Sequence, residues 1–190
     1  MKKLILGLFS FILLISLTGC VNIRTVYFYD YYNNELARIT TTDSSLINLP
    51  TCPAPNDYMK FKGWYKDSEL TVPFDNKVDS NLFLYPKFNV IENYMLFEMN
   101  SGSMTAGGIE IGDICAIRTN FTTEDLIIGT IILYYYTNNK DRCMLHRITR
   151  VDLEQKLITT KGDSSNSEDS KRVPLEDVVG IFVENLNNKG

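Results

Sequence analysis

The chain has 190 residues, of which 44% are hydrophobic and 22% are charged, and this ordinary globular balance excludes a wholly disordered chain. Its length allows one domain or two small ones. The net charge of -4 becomes -6 without the two lysines of the N-terminal leader, and no basic stripe is present. Because phosphate contacts need clustered lysine and arginine, we predict that the protein does not bind nucleic acid.

The first 19 residues have the pattern of an export signal. Lys2 and Lys3 precede an apolar run at residues 4–17, which is shorter than the roughly 20 residues that span a bilayer. The run ends in Leu-Thr-Gly-Cys, which resembles the cleavage site of bacterial lipoproteins. The resemblance implies that Cys20 carries lipid and anchors the protein at the extracytoplasmic face of the bacterial cell membrane. The alternative is an uncleaved N-terminal helix, which leaves the topology unchanged.

Residues 20–90 are predicted to form a small β-rich module. Residues 24–29 and 36–40 are rich in β-branched and aromatic side chains, and the Tyr-Tyr-Asn-Asn sequence between them is a turn signal, so we predict a hairpin. Pro86 lies in the last predicted strand of this module. Because proline has no N–H group for a sheet ladder, its presence indicates an edge strand.

A second segment of this module carries a resemblance. Phe-Lys-Gly-Trp-Tyr-Lys-Asp at residues 61–67, followed by Pro-Phe-Asp at 73–75 and an aromatic strand at 82–88, resembles the repeat of bacterial surface proteins of the internalin B type. The resemblance implies a small β fold in which Trp64 anchors the core. The alternative is that Trp64 and Tyr65 stack on sugars or on a partner chain, although buried aromatics dominate small β cores.

Residues 91–190 are predicted to form an all-β domain that is curled or partly closed. Short apolar segments separated by turn residues are typical of such folds, and no long amphipathic helix pattern follows residue 91. The predicted strands cover residues 94–99, 113–119, 129–136, 142–151, 156–161 and 178–184. The fold class is therefore predicted to be mainly β.

Five short motifs in this domain could supply the parts of a serine hydrolase. A serine hydroxyl needs a base within hydrogen-bond reach and donors for the oxyanion that its attack creates. The only histidine could be that base, and an acidic residue of the loop that follows Lys161 could orient it. The motifs are Ser-Gly-Ser-Met at 101–104, Ile-Gly-Asp at 111–113, His-Arg-Ile at 146–148, Thr-Lys-Gly-Asp at 160–163 and Val-Val-Gly at 178–180.

These motifs, in this order over about residues 92 to 185, resemble the signal peptidase I family, in its branch with a serine and a histidine. The resemblance implies that Ser103 is the nucleophile, Ser101 an oxyanion donor and His146 the general base. It favours Asp169 over Asp163 as the acidic residue that orients the histidine, since its offset from the Gly-Asp pair matches the family. The implied substrate is an exported precursor protein with small residues before the cut.

Two departures from the family pattern accompany this resemblance. The family has an acidic residue and a proline after the motif methionine, whereas Thr-Ala-Gly-Gly follows here at residues 105–108, so we expect a looser turn around the nucleophile. The second Gly-Asp pair of the family is Gly129-Thr130 in this chain, which affects a turn rather than the chemistry.

Each candidate also has a plain structural interpretation. Ser103 could be a turn serine, His146 a half-buried strand histidine, and Asp163 or Asp169 part of a solvated loop. One histidine and unclustered cysteines do not supply metal ligands, so we predict no metal and no cofactor. Cys115 and Cys143 could form a disulfide or remain small buried thiols.

The sequence thus predicts a lipid-anchored serine endopeptidase of signal peptidase I type. The alternative is a surface lipoprotein whose peptidase-like domain is inactive and serves binding or adhesion. Self-processing is a third hypothesis. The sequence does not determine the oligomeric state or the natural substrate.

Overall fold

A computed structural model describes residues 21–46, 48–136, 138 and 140–187. The predicted leader and the lipid attachment at Cys20 lie outside these residues. The prediction of a mainly β fold is confirmed, since the described residues form two sheets and their helices are short 3₁₀ turns.

The first sheet has four strands in the order β2-β1-β4-β3. The predicted hairpin is confirmed, because β1 and β2 pair antiparallel around the turn at Asp30–Asn34, in which the Asp30 carboxylate accepts the backbone N–H groups of Tyr32 and Asn34. β1 also pairs in parallel with β4. The strands are β1 (Arg24–Tyr29), β2 (Glu35–Thr41), β3 (Met59–Tyr65) and β4 (Leu82–Val90).

The prediction that Pro86 marks an edge strand is wrong. Pro86 lies in β4, which is an internal strand of the sheet and pairs there with Trp64 of β3. The physical reason is the short register on the other side, where β1 pairs with β4 only at residues 82–84. Pro86 lies beyond that ladder, so its missing N–H group removes no bond to β1.

Trp64 is a core residue of the first sheet, as predicted. It is 4% exposed, and its ring meets those of Phe28 and Phe61 edge to face. Its indole N–H donates to the carbonyl of Pro50 at 2.8 Å, which satisfies the polar end of the buried ring. The face of the indole is therefore not available to a sugar or a partner chain.

The second sheet has seven strands in the order β10-β9-β8-β7-β11-β6-β5. Each strand predicted after residue 91 is present, and β10 is an additional two-residue strand that the sequence did not indicate. The strands are β5 (Tyr94–Glu98), β6 (Ile114–Arg118), β7 (Ile131–Tyr135), β8 (Cys143–Asp152), β9 (Leu157–Lys161), β10 (Val173–Pro174) and β11 (Val178–Asn185). The 3₁₀ turns are Gly102–Gly107, Thr123–Asp125 and Leu175–Asp177.

Both faces of the second sheet are covered with apolar side chains. Because side chains alternate along a strand, Leu133 of β7 and Leu145 of β8 join one core, whereas Ile132 and Ile148 join the other. His146 pairs with Ile132 across the two strands and lies on the second of these faces. Burial on both faces explains why β7 is almost continuously apolar in the sequence.

The two sheets contact each other around Tyr58. Its carbonyl accepts the N–H of Ile91 at 2.9 Å, and its ring lies 5.0 Å from that of Tyr94, the first residue of the second sheet. Its hydroxyl forms a hydrogen bond with Glu184 of β11. None of the helices in the described part of the chain is long and apolar enough to cross a bilayer.

Candidate active site

The Ser-Gly-Ser-Met motif forms a turn at the end of β5. Ser101 precedes the 3₁₀ turn in extended conformation, and Met104 is completely buried in the core below. The Ile-Gly-Asp motif supports the strand from the side. Gly112, at φ 88°, donates its N–H to the carbonyl of Met99 at 2.7 Å, and the carbonyl of Asp113 accepts the N–H of Met99 at 2.8 Å. This ladder fixes the point at which the chain turns toward Ser103.

The hydroxyl groups of Ser101 and Ser103 lie together at the mouth of this turn. Their Oγ atoms are 3.1 Å apart, within hydrogen-bond distance. The carbonyl of Ser103 accepts the N–H of Ser164 at 2.9 Å, which ties the turn to the loop after β9. The structure therefore brings together the predicted nucleophile and the predicted oxyanion donor.

His146 is held by Asp169. It is 6% exposed, and its Nδ1 lies 2.7 Å from Oδ2 of the Asp169 carboxylate. A carboxylate accepts hydrogen bonds, so we assign the proton of the neutral imidazole to Nδ1, which leaves a lone pair on Nε2. Nε2 is buried and has no hydrogen-bond partner among the described residues. A buried imidazole nitrogen with a free lone pair is available to accept a proton.

Gly162 packs against both Nε2 of His146 and Ser103, and its lack of a side chain lets these two residues lie close together. A methyl group built at Gly162 would lie 3.0 Å from Nε2 and 3.1 Å from Cβ of Ser103, so these two atoms are at most about 6 Å apart. The same methyl group would lie 2.8 Å from the carbonyl oxygen of Ser103. The hydrogen bond between a nucleophile and its general base is often long before a ligand binds, and it tightens in the complex. The glycine of Thr-Lys-Gly-Asp is therefore needed for close approach.

Asp163, the other candidate for orienting the histidine, is engaged elsewhere. Its two carboxylate oxygens accept hydrogen bonds from Nε and Nη2 of Arg147, at 2.8 and 2.6 Å. This bidentate contact raises the pKa of the Arg147 guanidinium. Asp169 is therefore the aspartate that contacts the histidine, whereas Asp163 forms an ion pair with Arg147 next to the serine turn.

The turn around the nucleophile is packed rather than loose, contrary to the expectation from Thr105–Gly108. Ala106 donates its N–H to Oγ of Ser164 at 3.1 Å. Gly107 packs so closely against the carboxylate of Asp163 that a methyl group there would overlap it, and Gly108 closes the turn at φ 84°. Gly107 thus allows close contact with the loop after β9, and Gly108 supplies the left-handed conformation that ends the turn.

Three further side chains of the site were missed as functional residues. Thr160 donates its hydroxyl to Oδ2 of Asp169 at 2.7 Å, and the hydroxyl of Tyr134 lies 3.3 Å from Oγ1 of Thr160. Burial, which is the main cause, and the nearby Asp169 carboxylate raise the pKa of Tyr134. Arg147 is the third. Thr160 and Arg147 lie inside two of the recognised motifs, so their positions were a signal, whereas Tyr134 had none.

A groove runs from the serine turn along the start of β8. It has a volume of about 540 Å³, and its lining includes Phe97, Met99, Ser101, Cys143 and Leu145. The thiols of Cys115 and Cys143 are free, so the predicted alternative of a disulfide between them is not realised. The groove combines apolar side chains with the polar side chains of Asn100, Asp141 and Arg142, and such a mixed lining can hold small side chains of a peptide and bind its backbone.

This arrangement can support acyl transfer. It combines a serine hydroxyl, an adjacent second hydroxyl, and a histidine that has a carboxylate on Nδ1 and, in the described part of the chain, no partner on Nε2. Within the described residues, no three His, Cys, Asp or Glu side chains are grouped as metal ligands would be. The chemistry that these side chains offer is nucleophilic.

Comparisons with known proteins give short matches. No protein-family model and no solved structure matches the chain. Over 89 residues, 45% of its length, the chain is 33% identical to a protein of Evansella cellulosilytica named "Putative membrane protein" and 30% identical to another of that organism named "Putative Gly-rich membrane protein". The chain covers 13% and 10% of these two proteins, so it is similar to a small part of each.

Proposed function

We propose that this protein is a serine endopeptidase of signal peptidase I type that cleaves exported precursor proteins. The observation that carries the proposal is the buried imidazole of His146. Asp169 binds its Nδ1, and its Nε2, which has no hydrogen-bond partner among the described residues, lies close to the same face of Gly162 that Cβ of Ser103 approaches. A histidine that served only the core would have both nitrogens satisfied or solvated, because an unpaired buried polar atom costs about 1–3 kcal/mol.

In the proposed reaction, Oγ of Ser103 attacks the carbonyl carbon of the scissile bond while Nε2 of His146 takes the hydroxyl proton. The hydroxyl of Ser101 and the N–H of Ser103 stabilise the oxyanion. His146 then gives the proton to the leaving amine, and water hydrolyses the acyl enzyme by the same route. Asp169 stabilises the imidazolium throughout, without taking its proton.

The groove along β8 is the proposed binding site of the substrate. Phe97 and Met99 come from the end of β5, and Leu145 from β8, so the groove lies between a sheet edge and the residue before His146. An extended peptide can pair with such an edge through its backbone and place small side chains in the groove. We therefore propose precursors with small residues, alanine among them, before the cut.

We also propose that lipid on Cys20 holds the protein at the extracytoplasmic face of the membrane. The leader pattern supports this location, and the two relatives are named as membrane proteins. Two or three acyl chains anchor a protein firmly, whereas one exchanges. Membrane fractionation of the wild-type chain and of Cys20→Ala tests it, and equal membrane retention of both would contradict the lipid anchor.

The second candidate function is that of an inactive binding lipoprotein. One observation favours it, since the neighbour of Oγ of Ser103 is Oγ of Ser101, at 3.1 Å, and not the histidine. In that case the groove would bind an extended segment of a partner without cleaving it.

Cleavage of a precursor separates the two functions. The wild-type protein, Ser103→Ala and the control Ser80→Ala, which changes an exposed serine of the first module, are incubated with an exported precursor that has alanines before its cut. We expect cleavage by the wild type and the control, and background cleavage by Ser103→Ala. Equal background cleavage by all three would reject the peptidase function for that substrate.

A further inference from the structure

The carboxylate of Asp169 must be held in a fixed orientation although the residue lies in a loop. Asp169 lies in the loop between β9 and β10, and its side chain is 24% exposed, yet its carboxylate must stay in line with the buried ring of His146. A carboxylate on a loop samples more orientations than one on a strand. Some contact outside the histidine must therefore fix it.

Thr160 makes that contact twice. It lies in β9 and is fully buried, so its own position is set by the sheet. Its backbone carbonyl accepts the N–H of Asp169 at 2.8 Å, and its hydroxyl donates to Oδ2 of Asp169 at 2.7 Å. The Nδ1–H of His146 reaches the same oxygen at 2.7 Å. Two donors on one oxygen set both the rotation of the carboxylate and its distance from the ring.

Tyr134 encloses this contact from behind. It is 3% exposed, its hydroxyl lies 3.3 Å from Oγ1 of Thr160, and its ring meets that of His146 edge to face with centroids 6.3 Å apart. The phenol therefore limits the motion of both the threonine hydroxyl and the imidazole. A well-satisfied buried network of this kind holds one arrangement.

We infer that Thr160, supported by Tyr134, is the positioning residue that aligns Asp169 with His146. The inference rests on the proposed peptidase function for its kinetic consequence but not for its structural one. Thr160 does not touch the reacting atoms; it acts through Asp169. Its removal should weaken the reaction step and leave substrate binding unchanged, because the groove along β8 does not include it.

The test uses the single histidine of the chain as a probe. In the full protein labelled with ¹⁵N-histidine, the Nδ1–H group gives one low-field NMR signal while its bond to Asp169 persists. In Thr160→Val, which keeps the shape and removes the hydroxyl, we expect this signal to move upfield and to exchange faster with water. Thr160→Ser restores the hydroxyl and should restore the signal. Retention of the wild-type signal in Thr160→Val overturns the inference.

Kinetics with the cleaved precursor form the second arm. We expect kcat of Thr160→Val to fall about tenfold with KM unchanged, as general-base catalysis contributes about 10²–10⁴-fold and a positioning contact controls part of it. Equal kcat for the valine, serine and wild-type proteins contradicts the inference. If the valine variant does not fold, Thr160→Ala decides in its place, and a wild-type imidazole signal there overturns the inference. A wild-type imidazole signal in Tyr134→Phe overturns the supporting role of Tyr134. A wild-type protein without peptidase activity rejects the proposed function but leaves the NMR arm valid.

Discussion

Gly162→Ala should separate the two halves of the candidate site. The added methyl group would lie 2.8 Å from the carbonyl oxygen of Ser103 and 3.0 Å from Nε2 of His146. Ordinary non-bonded contacts are about 3.5 Å or longer, so each neighbour must move by roughly 0.5 Å or more. Neither can move alone, because the carbonyl of Ser103 is bonded to the N–H of Ser164 and His146 is bonded to Asp169. The serine and the histidine are therefore expected to move apart.

Two magnitudes follow from this displacement. Overpacking of a tight site costs about 1–3 kcal/mol of folding free energy. A misplacement of about 1 Å can cost roughly a hundredfold in rate, so half that displacement should lower kcat by about tenfold. KM should change little, since Gly162 does not line the groove along β8.

The assay compares Gly162→Ala with Gly102→Ala in precursor cleavage and in urea unfolding. Gly102 lies in the same serine turn, but a methyl group there meets its nearest neighbour, Oγ1 of Thr105, at an ordinary 3.5 Å. We therefore expect near wild-type stability for Gly102→Ala, and any effect of this variant should appear in KM. Full kcat and full stability in Gly162→Ala would refute the close approach of serine and histidine across this glycine.

Three other predictions concern the ion pair, the contact between the sheets and the thiols. Arg147→Met leaves the carboxylate of Asp163, 14% exposed, without its bidentate partner, so urea unfolding should show a loss of about 1–3 kcal/mol. Burial, the larger cause, and the hydrogen bond with Glu184 raise the pKa of Tyr58 to about 12 from its ordinary value near 10. Protonated Tyr58 therefore makes its full contribution to the stability of the folded state below pH about 10, and this contribution is lost as the pH rises toward about 12. Plots of the free energy of unfolding against pH should differ in slope between wild type and Tyr58→Phe across that range. Burial raises the pKa of the Cys115 thiol to about 11, and this thiol is fully buried, so an alkylating reagent should modify the half-buried Cys143 at least about tenfold faster in the native protein.

Each of these predictions has a control. Arg38→Met breaks the exposed pair with Glu35 and should cost much less stability than Arg147→Met, because solvent screens an exposed pair. Equal losses in the two variants would show that the pair of Arg147 with Asp163 is no stronger than an exposed one. If the free energy of unfolding depends on pH in the same way in wild type and Tyr58→Phe, the raised pKa of Tyr58 in the contact between the sheets is contradicted. Peptide mapping after alkylation in urea gives the fully exposed reference for both thiols, and equal native rates would contradict the burial of Cys115.

Much of the fold could be predicted because its signals are local. Short apolar strands separated by turn residues gave the positions of the main strands in both sheets, and the Tyr-Tyr-Asn-Asn turn gave the first hairpin. Pro86 shows the limit of such signals. In the sequence, a proline shows only that one N–H group is missing. Whether a strand inside a sheet can contain it depends on the pairing of that strand, and here β1 pairs with β4 only at residues 82–84.

For the candidate site, the sequence by itself determined the chemical types: Ser103 in a glycine-containing turn, one histidine on an apolar strand, and acidic residues in the loop after β9. The family resemblance favoured Asp169 as the carboxylate that meets the ring, but only the tertiary structure shows this contact and its physical reason. Asp163 and Asp169 are equivalent as isolated side chains, but β8 carries both His146 and Arg147, whose side chains point to opposite faces, and each recruits a different aspartate. The same holds for Thr160 and Tyr134, since contacts between strands far apart in sequence have no local pattern from which they could be predicted.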